Sequence, residues 1–266
     1  MLTAALAVAM SGQSAARAEP LRPSANWVVD YADEMCTLGR EFGSDKVTFG
    51  IRPSALGTGG GLAVVMIPGA APSRSHETSA TLVLEDASTI DVDASIYWLS
   101  DQKMRVVTVS LDGDQMGKVM SGRPFGFPVG RREHIWFAPD SVSDALKVLK
   151  GCETDLLVSL GVPADELAQV AVGPTGDVAR AFGSSAYPSN ALFRGKNGRT
   201  FALVTVGADG RAEACKIVSN SGHESFRKGT CDAVMRARFE PGRNAAGEPV
   251  RAWYPLRVTW QTQHFP

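Results

Sequence analysis

Between Trp27 and Phe137 apolar and polar residues alternate in short runs, the pattern of half-buried strands. Trp27, Val29 and Tyr31 alternate, as do Cys36, Leu38, Arg40 and Phe42, with Asp33-Glu34 placed to turn a hairpin between them; a helical reading of this piece stays open. Further strands are expected over residues 47–51, 62–67, 81–84, 90–98, 104–111 and 133–137, with a short helix over 114–120. Short strands spaced by Gly, Pro, Ser and Asp suggest a sandwich or a partly closed barrel. The period then changes. Ser141-Val142-Ser143-Asp144 has the spacing of a capping box, and Ala145, Leu146, Leu149, Cys152, Leu156 and Leu160 follow as a helical stripe ending at Gly161. Residues 162–186, rich in Gly, Pro and Ser, read as a linker.

Beyond it, Tyr187-Pro188-Ser189-Asn190-Ala191 suits a short helix begun by proline. Thr200, Ala202, Val204 and Val206 then alternate with Phe201, Leu203 and Thr205, Asp209-Gly210 supplies a tight turn, and a second strand returns through Ala214-Cys215-Lys216-Ile217-Val218. Ser221 stands three residues before Glu224, again a capping-box spacing, ahead of a helix carrying Phe226, Thr230, Ala233, Val234 and Ala237. Phe239-Glu240-Pro241 stops it, and Gly247-Glu248-Pro249-Val250 leads to a last strand over 251–261.

The ordered set Tyr187-Pro188-x-x-Ala191, Gly195-x-x-Gly198, Asp209-Gly210, Ser219-Asn220-Ser221-Gly222, Phe239-x-Pro241 and Gly247-x-Pro249-Val250 before Trp253-Tyr254-Pro255-Leu256 resembles the C-terminal domain of the TonB energy-transducer family. The resemblance implies a three-stranded antiparallel sheet backed by two helices, working in the periplasm, whose last strand pairs with a short peptide of outer-membrane receptors, the TonB box. Phe226-Arg227 stands where the family often has Leu-Asp. The membrane helix and long proline-rich arm of the family's transducers have no counterpart in the sequence as given.

Charge adds an asymmetry. Residues 187–266 carry 12 Lys/Arg against 6 Asp/Glu, leaving 15 against 22 in residues 1–186, so a basic module follows an acidic body. An acidic partner or an ordinarily solvated face would each account for it. Residues 1–10 form a short apolar run followed by Ala16-Arg17-Ala18 before Glu19-Pro20, which reads as a cleaved signal peptide over 1–18. The run is too short to span a bilayer, which takes about 20 apolar residues. A start upstream of Met1 would convert the signal into an anchor. Export predicts oxidising surroundings for the four cysteines. Of the three possible pairings, Cys36 with Cys152 and Cys215 with Cys231 keep each bridge inside one domain.

Catalytic chemistry has no constellation to rest on. His76, His134, His223 and His264 are scattered, without metal-ligand spacing, and read as loop or surface imidazoles. Ser121-Gly122-Arg123 lacks the leading glycine of a nucleophile elbow. Gly57-Thr58-Gly59-Gly60-Gly61 has no following Lys-Ser/Thr and reads as a hairpin tip, while Asp91-Val92-Asp93 and Asp112-Gly113-Asp114 fall short of a calcium loop. Arg123, Arg131 and Arg132 with Phe125 and Phe127 make a basic-aromatic loop, solvated or suited to an anion.

The expectation is therefore an α+β protein: a signal peptide over 1–18, a β-rich, sandwich-like domain over 19–161 closed by a helix, a linker over 162–186 and a TonB-like domain over 187–266. It is expected to be periplasmic and non-enzymatic, with no cofactor, metal or nucleic acid and no transmembrane helix in the chain as given. Its partner is expected to be an outer-membrane receptor or other envelope protein, or a second copy. The pairing strand is Ala252, Trp253, Tyr254, Pro255, Leu256, Arg257, Val258, Thr259 and Trp260, where Pro255 is tolerable because the strand is an edge. The alternative is an envelope ligand-binding or adaptor protein whose N-terminal domain does the recognition, through a pocket lined by Trp98, Arg123 or Trp136, while the TonB-like domain docks or dimerises.

Overall fold

In the computed structural model, which describes residues 18–32, 34–53, 60–70, 74–176, 178–183 and 186–262, the alternating runs of the first half become nine antiparallel strands. They are β1 (Val28–Ala32), β2 (Met35–Phe42), β3 (Val47–Pro53), β4 (Gly61–Pro68), β5 (His76–Leu84), β6 (Thr89–Leu99), β7 (Met104–Leu111), β8 (Phe125–Pro128) and β9 (His134–Phe137). The order across the sheet is β1-β2-β3-β4-β7-β6-β5-β8-β9. This is one curved sheet, the partly closed barrel of the two architectures expected and not the two-layered sandwich. Its ends are drawn together by the segment before β1. Leu21 accepts from the Ala138 amide and donates to the Trp136 carbonyl on the β9 side, while Arg22 and Ser24 bond to Gly43 and Glu41 at β2. A sheet curled into a half-barrel has one interior, and aromatic rings fill it: Phe42, Phe49, Phe125, Phe127 and Phe137 are fully buried with ring centroids 5.1 to 6.2 Å apart. Strand β8 was missed because its four residues are all buried, which leaves no alternation to read. Gly126 within it admits the Trp136 ring so closely that a Cβ would lie 2.8 Å from ring atoms.

Helix α1 (Gly113–Val119) starts from a reciprocal cap between Asp112 and Gln115. Helix α2 (Val142–Ser159) does not use the cap its sequence suggested: Ser141 makes no capping bond and is left-handed, with φ of 53°. The preceding residue anchors the helix instead. Asp140 accepts the Trp27 indole N–H on its carbonyl, and its carboxylate takes Arg40, whose side chain is only 9% exposed. The Cys36–Cys152 disulfide fixes the middle of α2 to β2.

Residues 162–176 are not a free tether. They include α3 (Ala164–Leu167), and Val172 and Thr175 pair with Arg243 and Glu240 of the C-terminal half. A 3-10 turn, Val178–Phe182, follows and packs beside the next domain's helices. There, α4 (Ser189–Phe193), β10 (Gly198–Val206), β11 (Ala212–Ser221), α5 (Ser225–Val234), the short pair β12 (Gly242–Arg243) and β13 (Pro249–Val250), and β14 (Ala252–Trp260) complete the chain. The sheet order is β11-β10-β14. At the β10–β11 turn Gly210 has φ of 75° and lies against the Phe239 carbonyl, so only glycine fits. The capping box proposed at Ser221 is absent, because that hydroxyl takes the Arg199 amide while α5 starts after Glu224. The Cys215–Cys231 disulfide ties β11 to α5.

Each face of this sheet is covered by a different element. Val204, Val206 and Leu256 pack with Val234 and Phe239 on the α5 side. Leu203 and Trp253, on the other face, pack against Leu157, Val162 and Leu167 from the end of α2 and the segment after it. The barrel is docked on the sheet. The Cys36–Cys152 bridge closes the longer loop, with a sequence separation of 116. The double variant Cys36→Ser/Cys152→Ser should lose about 4–5 kcal/mol in chemical denaturation on the chain-entropy model; an unchanged midpoint would contradict the anchoring role given to it.

Candidate functional site

Strand β14 pairs with β10 over its full length, from Gly198↔Trp260 to Val206↔Ala252, without a register break. No described strand lies on its other side. Of the nine residues expected to capture a partner, Ala252, Trp253, Leu256 and Trp260 are buried and serve the core. Trp260 stacks on Phe226 with centroids 5.3 Å apart, and Tyr187 meets both rings edge-on. What β14 can offer a partner is therefore mainly its backbone. Pro255 has no N–H to give, and proline is tolerated where its nitrogen points away from the paired neighbour. By period 2 the amides of Arg257 and Thr259 then point outward as well.

That outer edge lines a groove of about 400 Å³ at the junction of the two domains. Tyr254, Pro255, Leu256 and Arg257 all border it. Phe201 of β10 and Val178 border it as well, so the cavity takes in part of the sheet's face along with the edge of β14. The far wall belongs to the barrel: Met35, Arg52 and Leu62 from its strands, and Glu153, Leu156 and Leu160 from α2. Arg257 reaches across, donating to the Glu34 carbonyl and lying 4.8 Å over the Phe201 ring. Burial, then the neighbouring Arg52 guanidinium, lower the Arg257 pKa, with the Glu34 carboxylate opposing. Burial raises that of the Tyr254 phenol. Of the barrel residues in this wall the sequence pointed to Cys36 as a disulfide partner and to Leu156 and Leu160 as helical stripe, and to none of them as a binding residue.

A second cavity, about 580 Å³, lies at one end of the barrel among Met116 of α1, Met120 that caps it, Leu146 and Leu149 of α2, and Leu167 of α3. Glu153 borders both cavities.

The other sequence candidates disperse. Phe125 and Phe127 are in the barrel core, so the basic-aromatic loop does not exist as a surface; Arg131 and Arg132 border a shallow polar cleft and Arg123 a different one. Trp136 lies against Gly126, and the interior beside it is filled. His134 bonds the Thr81 carbonyl and His223 bonds Ser225. The signal peptide, Gly57 to Gly59 and His264 lie outside the described residues, apart from Ala18. Among the described residues no group of three His, Cys, Asp or Glu could hold a metal, and no helix is long and apolar enough to cross a membrane.

Residues 184–262 match the family model of the Gram-negative bacterial TonB protein C-terminal domain. This part of the chain is a TonB C-terminal domain. The NMR solution structure of the Helicobacter pylori TonB C-terminal domain aligns at 18% identity over 40% of this chain and 90% of that chain, with a TM-score of 0.25. No curated protein matches the chain. The TonB model ends at β14 and leaves the barrel outside it, so the groove is walled on one side by the TonB domain and on the other by residues the family model does not cover.

Burial pushes the Glu153 carboxyl up to about 7 from an ordinary 4.5, with Lys150 opposing. The folded state thus holds this proton more tightly than the unfolded chain, and folding stability falls as pH rises from 4.5 to about 7, then levels off. Glu153→Gln, which cannot ionise, should match the parent near pH 4.5 and exceed it at pH 8 by on the order of 3 kcal/mol in denaturant titrations. An equal difference at both pH values would contradict the burial argument.

Proposed function

We propose that the chain is an exported periplasmic protein that captures an extended peptide by strand pairing on the outer edge of β14. The N-terminal segment of a TonB-dependent outer-membrane receptor is the expected partner, in the service of transport across the outer membrane. Family membership of residues 184–262 supports an envelope role in protein interaction, and the two disulfides fit an oxidising compartment. The observation that carries the reading is the groove bordered by four consecutive β14 residues. An edge strand presents unpaired N–H and C=O groups, and a guest strand satisfies them while side-chain pockets choose the sequence. No step of this requires catalysis by the protein.

A second reading rests on the cavity at the barrel end. Its apolar lining of Met116, Met120, Leu146 and Leu149 would suit a small amphiphile, with the TonB domain serving for docking or dimerisation. The two readings separate in one calorimetric experiment with the full chain and synthetic peptides from the N-termini of such receptors in the same cell. Thr259→Pro removes an outward amide but no bond to β10. It should weaken peptide binding roughly tenfold, about the worth of one lost hydrogen bond, while thermal unfolding stays cooperative. Unchanged affinity would move recognition away from β14.

A further inference from the structure

Two arginines face the groove from opposite domains, Arg52 at the end of β3 and Arg257 on β14. Neither is paired with a carboxylate among the described residues. Arg257 spends its guanidinium on the Glu34 carbonyl, the Met35 sulfur at 3.5 Å and the Phe201 ring, and Arg52, half-buried, makes no ion pair. Elsewhere Arg40, the most buried of the ion-paired arginines, is held by Asp140, and Arg251 bridges Glu166 and Glu213, while the buried Arg105 Nε also lacks a partner.

The groove does contain carboxyl groups, Glu34 on the β1–β2 turn and Glu153 on α2, and the balance between them and the arginines decides what it attracts. At Arg257 the repulsion from Arg52 outweighs the attraction of Glu34. Glu153 keeps its proton up to about pH 7 and so contributes little negative charge below it. Two guanidiniums therefore line the groove beside the β14 edge against one carboxylate, Glu34, and the proton-holding Glu153. A partly desolvated guanidinium without a counter-ion is costly, and a carboxylate brought in by a guest strand would relieve that cost with charge-assisted, two-pronged hydrogen bonds.

We propose that the barrel reads the guest peptide's sequence: the groove selects an extended segment bearing an aspartate or glutamate whose carboxylate is held between Arg52 and Arg257. This rests on the peptide-pairing reading and adds a determinant from outside the TonB domain. Backbone pairing along β14 accepts many sequences, whereas a single carboxylate seated between two guanidiniums discriminates against its own amide isostere, because the amide leaves both charges uncompensated.

The test is a double-mutant cycle by calorimetry on the full chain. Receptor N-terminal peptides are synthesised in pairs, one with its acidic residue and one with Asp→Asn or Glu→Gln at that position. The parent should bind the acidic member roughly tenfold or more tightly, and Arg52→Gln should remove most of that preference while leaving the amide peptide's affinity nearly unchanged. Arg211→Gln, on the β10–β11 turn beside Asp209, should leave the preference intact. If the parent shows no preference, or Arg52→Gln weakens both peptides equally, the inference is wrong while sensitivity to Thr259→Pro still upholds strand pairing. If neither peptide binds, both fail. Should Arg52→Gln not fold by circular dichroism, the parent's preference and its loss in Arg257→Gln decide the matter.

Discussion

Burial of the second face of the small C-terminal sheet is the constraint on which the rest of this structure depends. Leu203 and Trp253 are apolar and point away from α5, so a domain made of residues 184–262 alone would leave them in water. Leu157, Val162 and Leu167 cover them. Large apolar side chains gain about 1.5–3 kcal/mol each from full burial, enough to hold two domains in one orientation when several act together. Polar contacts then set the register of the docking: Lys216 donates to the Leu160 carbonyl at the end of α2, and Arg251 reaches Glu166 of α3. Because the barrel lies on the face of the sheet, its strands and α2 come up beside the edge of β14 without pairing with it.

A closed interior and an open edge coexist here for the same reason. The barrel has no free edge at the seam that Leu21 to Ser24 stitch between β9 and β2, and its interior is packed with phenylalanine. It therefore presents a well-packed wall. The TonB domain, with only three strands in its main sheet, retains an edge at β14, and Pro255 in that edge blunts it against indiscriminate pairing. Half of the groove is backbone with few side-chain options, and the other half is side chains on a well-packed scaffold, a division suited to affinity from one domain and selectivity from the other.

Much of this was legible in the residue order. The alternation in β2, β6 and β7 and the Asp209-Gly210 turn carried enough local signal to place these elements, because each depends on neighbours a few residues away, whereas the proline stop expected at Pro241 did not, since α5 ends at Val234 and Ala237 lies outside it. The TonB domain was legible from motifs alone. Capping boxes misled twice, at Ser141 and Ser221, since their hydroxyl spacing was met but tertiary partners, Arg40 on Asp140 and Arg199 on Ser221, set the helix starts. The all-buried β8 was invisible for lack of polar positions. The groove's barrel wall was out of reach, because Arg52 and Arg257 are 205 positions apart and meet only once the domains dock. Phe201 and Leu203, apolar on the face opposite Ala202 and Val204, did signal that something must cover that face, but not what.

The central claim is that the outer edge of β14 is a vacant place for a strand. Amide hydrogen exchange followed by NMR tests it most directly. In the free protein the outward amides of Arg257 and Thr259 should exchange fast while the inward amides of Tyr254, Leu256 and Val258, bonded to β10, are protected; saturating receptor peptide should then slow Arg257 and Thr259 selectively. Outward amides already protected without peptide, or still fast with peptide bound, would contradict the account.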